Sequence, residues 1–269
     1  MTQRRWLVTG CSTGLGRALA ERLSAAGERV LVTARDAATL ADLAGTGVVT
    51  TTLDVRDAEQ CAAAVALAAE SFGGVDVLVN NAGYGQFGVV EEVTDAEVAA
   101  QFETNVYGPW RLLRHVLPLW RDQGSGHAIF SSSLSGSIAF PGLSAYTASK
   151  FALEALAESV AVEAGSFGVK VTILQLGGFA TSYGAKLRLP ARQIGAYQPV
   201  VADMFTAVRG VTGSAEASPP TLFAETVLRV AEMPEPPLRL PVGQGAFEYL
   251  EPALTARQTQ FDAVRGRSS

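Results

Sequence analysis

The sequence predicts an α/β protein, a doubly wound parallel sheet with helices on both faces, and three observations lead there. Short apolar runs alternate with stretches of helical periodicity from residue 6 to residue 174, which is the order of successive βαβ units. Residues 75–79 are apolar at every position but one, as expected of a parallel strand covered on both faces. Glycines at 10, 14 and 16 fall between the first apolar run and the first helical stretch, where a strand must turn sharply into a helix.

The first strand, residues 6–8, runs into Thr9-Gly10-Cys11-Ser12-Thr13-Gly14-Leu15-Gly16 and then into the helical pattern of residues 17–23. Gly10 permits the tight turn, Gly14 lets the backbone approach a pyrophosphate, and Gly16 allows the helix to pack closely on the sheet. Ser12, Thr13 and Leu15 stand between them, where the free N–H groups of the helix N-terminus face phosphates. This Rossmann arrangement predicts a dinucleotide site. The second strand, residues 30–33, ends at Ala34-Arg35-Asp36, where such a site reads the adenosine ribose. An acidic residue at 34 would favour NAD(H). A small residue followed by Arg35, whose guanidinium can fork onto a 2′-phosphate, favours NADP(H); the competing reading is a solvated arginine partly neutralised by Asp36.

A third strand, residues 50–53, ends at Asp54 and Val55, and residues 57–72 form an alanine-rich helix. Asp54 faces the adenine or caps that helix. The fourth strand, residues 75–79, ends in Asn80-Asn81-Ala82-Gly83. The asparagines can tie neighbouring strand ends together, while Asn81, Ala82 and Gly83 leave room for a cofactor ribose; an Asn-Gly turn would look similar.

After a strand at residues 128–130, residues 131–150 read SSSLSGSIAFPGLSAYTASK. Tyr146 and Lys150 are four apart, a spacing that stacks a phenol and an ammonium on one face of a helix starting near Ala145. A free tyrosine titrates near ~10 and is a poor base at neutral pH until a nearby positive charge stabilises its anion. Ser133, thirteen residues before Tyr146, falls at the C-terminal end of the strand, where sheets of this class place reactive groups; its hydroxyl can hold a substrate oxygen beside the phenol. Chance spacing and a serine-rich turn compete with this reading, and the glycine loop upstream weighs against them.

No Pro/Gly/Ser linker interrupts the 269 residues, so the chain reads as one domain, residues 1–269. Its net charge of −5, from 26 acidic and 21 basic residues without a basic block, argues against a nucleic-acid partner. The longest apolar runs are far short of the ~18 residues of a membrane span, and the N-terminus shows no export signal. A soluble protein is expected. Cys11 and Cys61 form neither a disulfide framework nor a metal spacing, pointing to the reducing cytoplasm and no metal. His115 reads as a helix-surface residue and His127 as a strand-entry residue.

Taken together, the chain resembles the short-chain dehydrogenase/reductase family over nearly its whole length. That family's Thr-Gly-x-x-x-Gly-x-Gly loop matches Thr9 to Gly16, its Asn-Asn-Ala-Gly matches Asn80 to Gly83, and its Tyr-x-x-x-Lys matches Tyr146 to Lys150. The resemblance implies a catalytic tetrad of Asn105, Ser133, Tyr146 and Lys150. Tyr146 exchanges the proton, Ser133 orients the substrate oxygen, and Lys150 binds the nicotinamide ribose. Asn105 holds a water linking the lysine to solvent. It implies hydride transfer between NADP(H) and an alcohol or carbonyl carbon, and a homo-oligomer, dimer or tetramer, formed through the helices beginning near Ala96 and Ser149. One departure stands out: after the strand at residues 171–174 the family has Pro-Gly and then a threonine, and this chain has Leu176-Gly177-Gly178-Phe179-Ala180-Thr181. Gly177, Phe179 and Thr181 are expected on the cofactor, in a loop that the absent proline leaves freer.

Residues 183–218 show no clear strand and are rich in Gly, Ala and Pro; they are expected to form a substrate lid. Phe87, Leu134, Phe140, Leu143 and Tyr183 are the candidate pocket residues, implying a largely apolar alcohol or ketone substrate. Residues 89–93, a helix at 221–233, a strand at 238–241 and a C-terminal helix at 253–265 complete a pattern similar to family members that accept retinoids, steroids or polyketide-like alcohols. Two alternatives use the same fold: non-redox chemistry such as epimerisation, dehydration or cyclisation, suggested by Leu176, and cofactor sensing without catalysis.

Overall fold

The computed structural model describes residues 3–211 and 214–265; Thr212 and Gly213 of the expected lid, and both ends of the expected 1–269 domain, lie outside the described residues. Seven strands appear among the described residues: Arg5–Val8 (β1), Arg29–Ala34 (β2), Val48–Thr52 (β3), Val77–Asn80 (β4), Gly126–Ser131 (β5), Val169–Leu176 (β6) and Arg239–Val242 (β7). All pair in parallel, in the order β3-β2-β1-β4-β5-β6-β7. Leu7 of β1 is in register with Leu31 on one side and Leu78 on the other. The strand order reverses at β1, so the C-terminal ends of β1 and β4 open a crevice, where sheets of this class hold ligands.

The helices are Gly14–Ala25 (α1), Ala58–Phe72 (α2), Asp95–Phe102 (α3), Gly108–Gln123 (α4), Ser144–Ala164 (α5), Gln198–Gly210 (α6), Pro220–Glu232 (α7) and Ala246–Arg265 (α8). Successive strand residues face opposite sides, and the core divides accordingly. Trp6, Val8, Val30 and Val32 pack with Leu19 of α1 and Phe223 of α7. Leu7, Leu31 and Leu78 pack with Val65 of α2, Trp120 of α4 and Leu153 of α5. Cys11 belongs to the first layer and Cys61 to the second; both are free, and burial pushes their thiols up to about 12 and about 11.

The structure decides one alternative, moves one helix start and gives form to two segments that the sequence left without an element. Asp54 does not cap α2: it pairs with Arg56 at 2.6 Å, and Asp57, directly before the helix, accepts from Glu59 N and Gln60 N, because only the flanking residue reaches those free N–H groups. The segment expected to form a lid contains a helix, α6, whose Pro199 sits in the first turn, where the missing N–H costs nothing. Residues 89–93 make a turn in which Glu92 N and Val93 N both donate to Val89 O. The C-terminal helix starts at Ala246 rather than 253, with Pro252 inside it; its first turns are held because Ala246 and Leu250 are buried against Leu134, Ile138 and Phe140.

His127, on β5, is 4% exposed. Its Nε2 lies 3.0 Å from Thr172 Oγ1, and that hydroxyl gives its one hydrogen to Pro237 O at 3.1 Å. Nε2 therefore carries the ring proton and donates. Burial, with Lys170 and Arg4 adding repulsion, pushes His127 down to about 3, against ~6.5 for a free histidine. The unfolded chain thus takes up a proton that the native state refuses. Stability from the neutral ring is complete above pH ~6.5 and is lost as the pH falls from there toward the native value, by ~1.4 kcal/mol per unit. In urea titrations across that range, His127→Gln is expected to flatten the acid decline by several kcal/mol; an unchanged decline would assign the proton uptake to other groups.

Candidate active site

The crevice is shaped by backbone approaching backbone. Cys11 N donates to Thr33 O at 2.8 Å, drawing the glycine loop toward β2. Gly10 has φ 72°, and a Cβ there would lie 2.9 Å from Ala82 Cα. A Cβ on Gly16 would overlap both Gly10 O and Asn81 Nδ2. Asn81 Nδ2 donates to Thr9 O at 2.9 Å and Gly10 O at 3.3 Å, and its Oδ1 accepts from Ser131 Oγ at 3.3 Å. Thr9 Oγ1 accepts from Asn81 N and Ala82 N, each at 3.0 Å. One asparagine thereby ties the ends of β1, β4 and β5 together, as its position suggested. The Asn80 side chain is buried without a hydrogen-bond partner among the described residues.

A cleft of about 880 Å³ runs across these strand ends, toward the large end of the ~300–1,000 Å³ typical of ligand sites. Gly10, Ser12, Thr13, Gly14, Leu15 and Gly16 form one wall, Arg35, Asp54 and Val55 one end, and Asn81, Ala82 and Gly83 the floor. Gly177, Phe179 and Thr181 line it as well. The structure thus gathers every expected cofactor residue except Lys150, which stands just behind the wall. A dinucleotide fits this cradle: Thr13 caps α1 without a side-chain bond to its N–H groups, and the side-chain-free Gly14 lies open beside Thr181. Two cations that the motif did not point to join the same lining, Arg56 and Lys186; Lys186 Nζ reaches across from the lid to donate to Thr13 Oγ1 at 3.1 Å.

The loop that lacks proline is nonetheless well anchored. β6 continues through Leu176, in register with Val242. Gly177 N donates to Val242 O and Gly178 N to Gln244 O, both at 2.9 Å, while Ala180 N donates to Ser218 O at 2.9 Å. A Cβ on Gly177 would overlap Gln244 O. The strand and Gln244 replace the restriction that proline supplies.

At the other end of the cleft, Leu134, Phe140, Leu143 and Tyr183 line the wall beside Tyr146, and Phe87 does not. Phe87 is buried with Leu187 and Val201, its ring 5.1 Å from that of Phe205. The missing Cβ of Gly142 leaves the space its ring takes, so Phe87 supports the lid from behind.

Tyr146 lies in the first turn of α5 and Lys150 one turn later. Lys150 Nζ donates to Ser131 O at 2.6 Å and sits 5.7 Å from the centroid of the Tyr146 ring. Burial pushes Tyr146 above its ordinary value, while the hydroxyls of Ser133 and Tyr183 pull the other way. The net direction is upward, where the spacing suggested a depression. Burial also lowers Lys150 to about 8, against the opposing attraction of Glu154. Asn105 occupies a π-helical turn, Glu103–Tyr107, where Oδ1 accepts from Tyr84 N at 3.3 Å and Nδ2 donates to Tyr84 O and Ser149 Oγ at 3.2 and 3.1 Å. A Cβ on Gly83 would sit 3.2 Å from Asn105 Oδ1 and 3.9 Å from Lys150 Nζ, so Gly83 brings the cleft floor down onto both.

Behind the serines lies a carboxylate that the sequence reading missed. Glu154, 2% exposed, accepts from Ser132 Oγ at 2.7 Å, from Gln175 Nε2 at 3.2 and 3.3 Å, and from Arg239 Nε at 2.9 Å. Its signal was its place four residues after Lys150, a spacing at which opposite charges meet on a helix.

A family model described as short chain dehydrogenase matches residues 4–191. The oxidoreductase BOA17 of Botryotinia fuckeliana is 40% identical over 249 residues, covering 91% of this chain and 90% of its own. The crystal structure of a short-chain dehydrogenase from Streptomyces avermitilis superposes with a TM-score of 0.91 at 36% identity, over 100% of this chain and 98% of its own. An alcohol dehydrogenase from the archaeon Thermococcus sibiricus, complexed with 5-hydroxy-NADP, gives a TM-score of 0.74 at 26% identity, over 90% of this chain and 97% of its own.

The cradle makes a sharp demand on Gly16. Gly16→Ala is expected to cost about 1–3 kcal/mol through overpacking against backbone, lowering the thermal midpoint by several degrees. Gly165→Ala, where a Cβ meets nothing within 4 Å, should leave the midpoint unchanged. Equal midpoints for the two variants would show that the loop can open to admit a methyl group.

Proposed function

The chain belongs to the short-chain dehydrogenase family, and from that premise we propose that it is an NADP(H)-dependent oxidoreductase acting between a secondary alcohol and a ketone of a largely apolar substrate. One observation carries the reading: Tyr146, with Ser133 acting on its phenol, lines the same cleft as the glycine cradle. A bound nicotinamide supplies or accepts the hydride. The protein's own groups do the rest. Ser133 holds the substrate oxygen, and Tyr146 gives that oxygen a proton in reduction or takes one in oxidation. Lys150, fixed on Ser131 O, places a cation beside the phenol ring, where it would hold the nicotinamide ribose.

A phenol that burial keeps protonated suits proton donation, and therefore reduction of a ketone, at neutral pH. Leu134, Phe140 and Leu143 beside it favour an apolar substrate body. Arg35, exposed at the end of β2, and Arg56 give the adenosine end two guanidinium groups, which favours a 2′-phosphate. Among the described residues no helix is long and apolar enough to cross a membrane, which accords with a cytoplasmic enzyme. Trp110 of α4 and Val162 of α5 present apolar surface at 51% and 85% exposure, in accord with a homo-oligomer joined through these helices.

Tyr146→Phe is expected to lower ketone reduction by several orders of magnitude while leaving NADPH affinity, read by nucleotide fluorescence, within about twofold. Full turnover in that variant would reject the mechanism. Arg35→Ala is expected to weaken NADPH binding about tenfold or more, the worth of one charge-assisted contact, and to leave NADH binding unchanged. Equal losses for both nucleotides would refute the phosphate role.

A further inference from the structure

Tyr183 is out of keeping with an apolar pocket wall. It precedes the short turn Gly184–Lys186 and travels with the lid, since Gly184 packs against Val208 O and Arg209 Cα of α6. Its ring centroid is 5.8 Å from that of Tyr146, at an interplanar angle of 50°. Its hydroxyl is buried and finds no hydrogen bond of normal geometry among the described residues. It lies over Gly85, where a Cβ would overlap Tyr183 Oη. A buried phenol without a good partner is destabilising, and a segment that served only as an apolar cover would carry phenylalanine there.

We propose that Tyr183 is a second phenol of the reaction site, one that keeps its own proton and donates a hydrogen bond to the Tyr146 oxygen as that oxygen becomes negative. The inference rests on the reading of Tyr146 as the proton-transfer group. In ketone reduction the substrate carbon gains hydride from the nicotinamide, and the proton leaves Tyr146 Oη for the substrate oxygen. The electron pair left on Tyr146 Oη is met by the Tyr183 O–H. No proton leaves Tyr183, and Tyr146 is later reprotonated from solvent. The electrostatics run the same way: Tyr183 pulls Tyr146 toward its anion, while burial and the Tyr146 charge hold Tyr183 well above the ordinary tyrosine value. Lys150 stands 5.7 Å from the Tyr146 ring centroid, with Glu154 acting on the lysine, and Arg188 and Tyr84 pair with each other on the neighbouring loop. The Tyr183 hydroxyl, short of a hydrogen bond of normal geometry yet aimed at the Tyr146 phenol, is therefore best paired when Tyr146 carries charge.

The test labels the full chain with fluorotyrosine, whose more acidic phenol titrates while the protein is still folded, and follows each resonance by fluorine NMR as the pH rises. Tyr146→Phe assigns the Tyr146 signal. In Tyr183→Phe the Tyr146 midpoint is expected to move up by about one pH unit, a tenfold change in its ionisation, without a fall in thermal midpoint, because no native hydrogen bond is lost. An unmoved Tyr146 midpoint would overturn the proposal, and so would a thermal midpoint that drops as for a lost structural bond. Full ketone reduction by Tyr146→Phe would instead overturn the underlying reading of the site, whatever the titration shows.

Discussion

The site is organised by the burial of one ammonium. Lys150 is 7% exposed and reaches Ser131 O at 2.6 Å, which fastens α5 to the C-terminal end of β5. Burying a cation is costly unless it is hydrogen-bonded and charge-balanced, and here the balance comes from Glu154, one turn further along the same helix. Both groups are satisfied only in the observed packing. Because Tyr146 lies one turn before Lys150, fixing the ammonium also fixes the phenol at the cleft wall. Because Ser131 begins the serine segment, the same contact sets where Ser133 stands. The chemistry at the surface thus depends on a charge placed behind it.

Glu154 extends that constraint across the sheet. Its oxygens gather Ser132 from the loop after β5, Gln175 from β6 and Arg239 from β7. Gln175 Nε2 also reaches Ser137 Oγ at 2.7 Å, beyond the short turn that carries Leu134. A Cβ on Gly136 would overlap Glu154 Oε1, so the serine segment lies flat on the carboxylate. A serine-rich loop left to itself is mobile; pinned from below at Ser132 and Ser137, it becomes a fixed wall. The apolar layers of the sheet supply most of the stability, and this polar layer supplies the geometry.

What the sequence disclosed follows from the range of the interactions involved. The strand–glycine–helix unit and the tyrosine–lysine spacing are set by neighbours within one or two turns and were readable; the asparagine tie joins residues 50 to 73 positions apart and was readable only because its residues sit at a strand end. Asp54 was left between two roles because capping depends on where α2 begins to within a residue or two; it lines the cleft, and Asp57 caps the helix. Two prolines sit inside helices all the same: Pro199 falls in a first turn, and Pro252 lies in a helix whose opening turns are held by burial of Ala246 and Leu250. Phe87 looked like a pocket residue, because nothing local tells that Gly142, 55 positions later in the sequence, would leave room behind the wall. The reach of Lys186 to Thr13 spans 173 positions and has no local trace.

The lid shows why such long-range contacts matter to the chemistry. Its first turn places Tyr183 against Tyr146 and Lys186 against the helix N-terminus that opens the glycine loop. One short segment therefore touches both the phenol and the anion cradle, while Gln86 and Arg188 bridge it to the loop after β4. A rigid cover could seal the cleft with apolar side chains alone. A segment carrying a phenol and an ammonium does more, because its contacts strengthen when negative charge is present beneath it, at Thr13 for the lysine and on Tyr146 for the phenol.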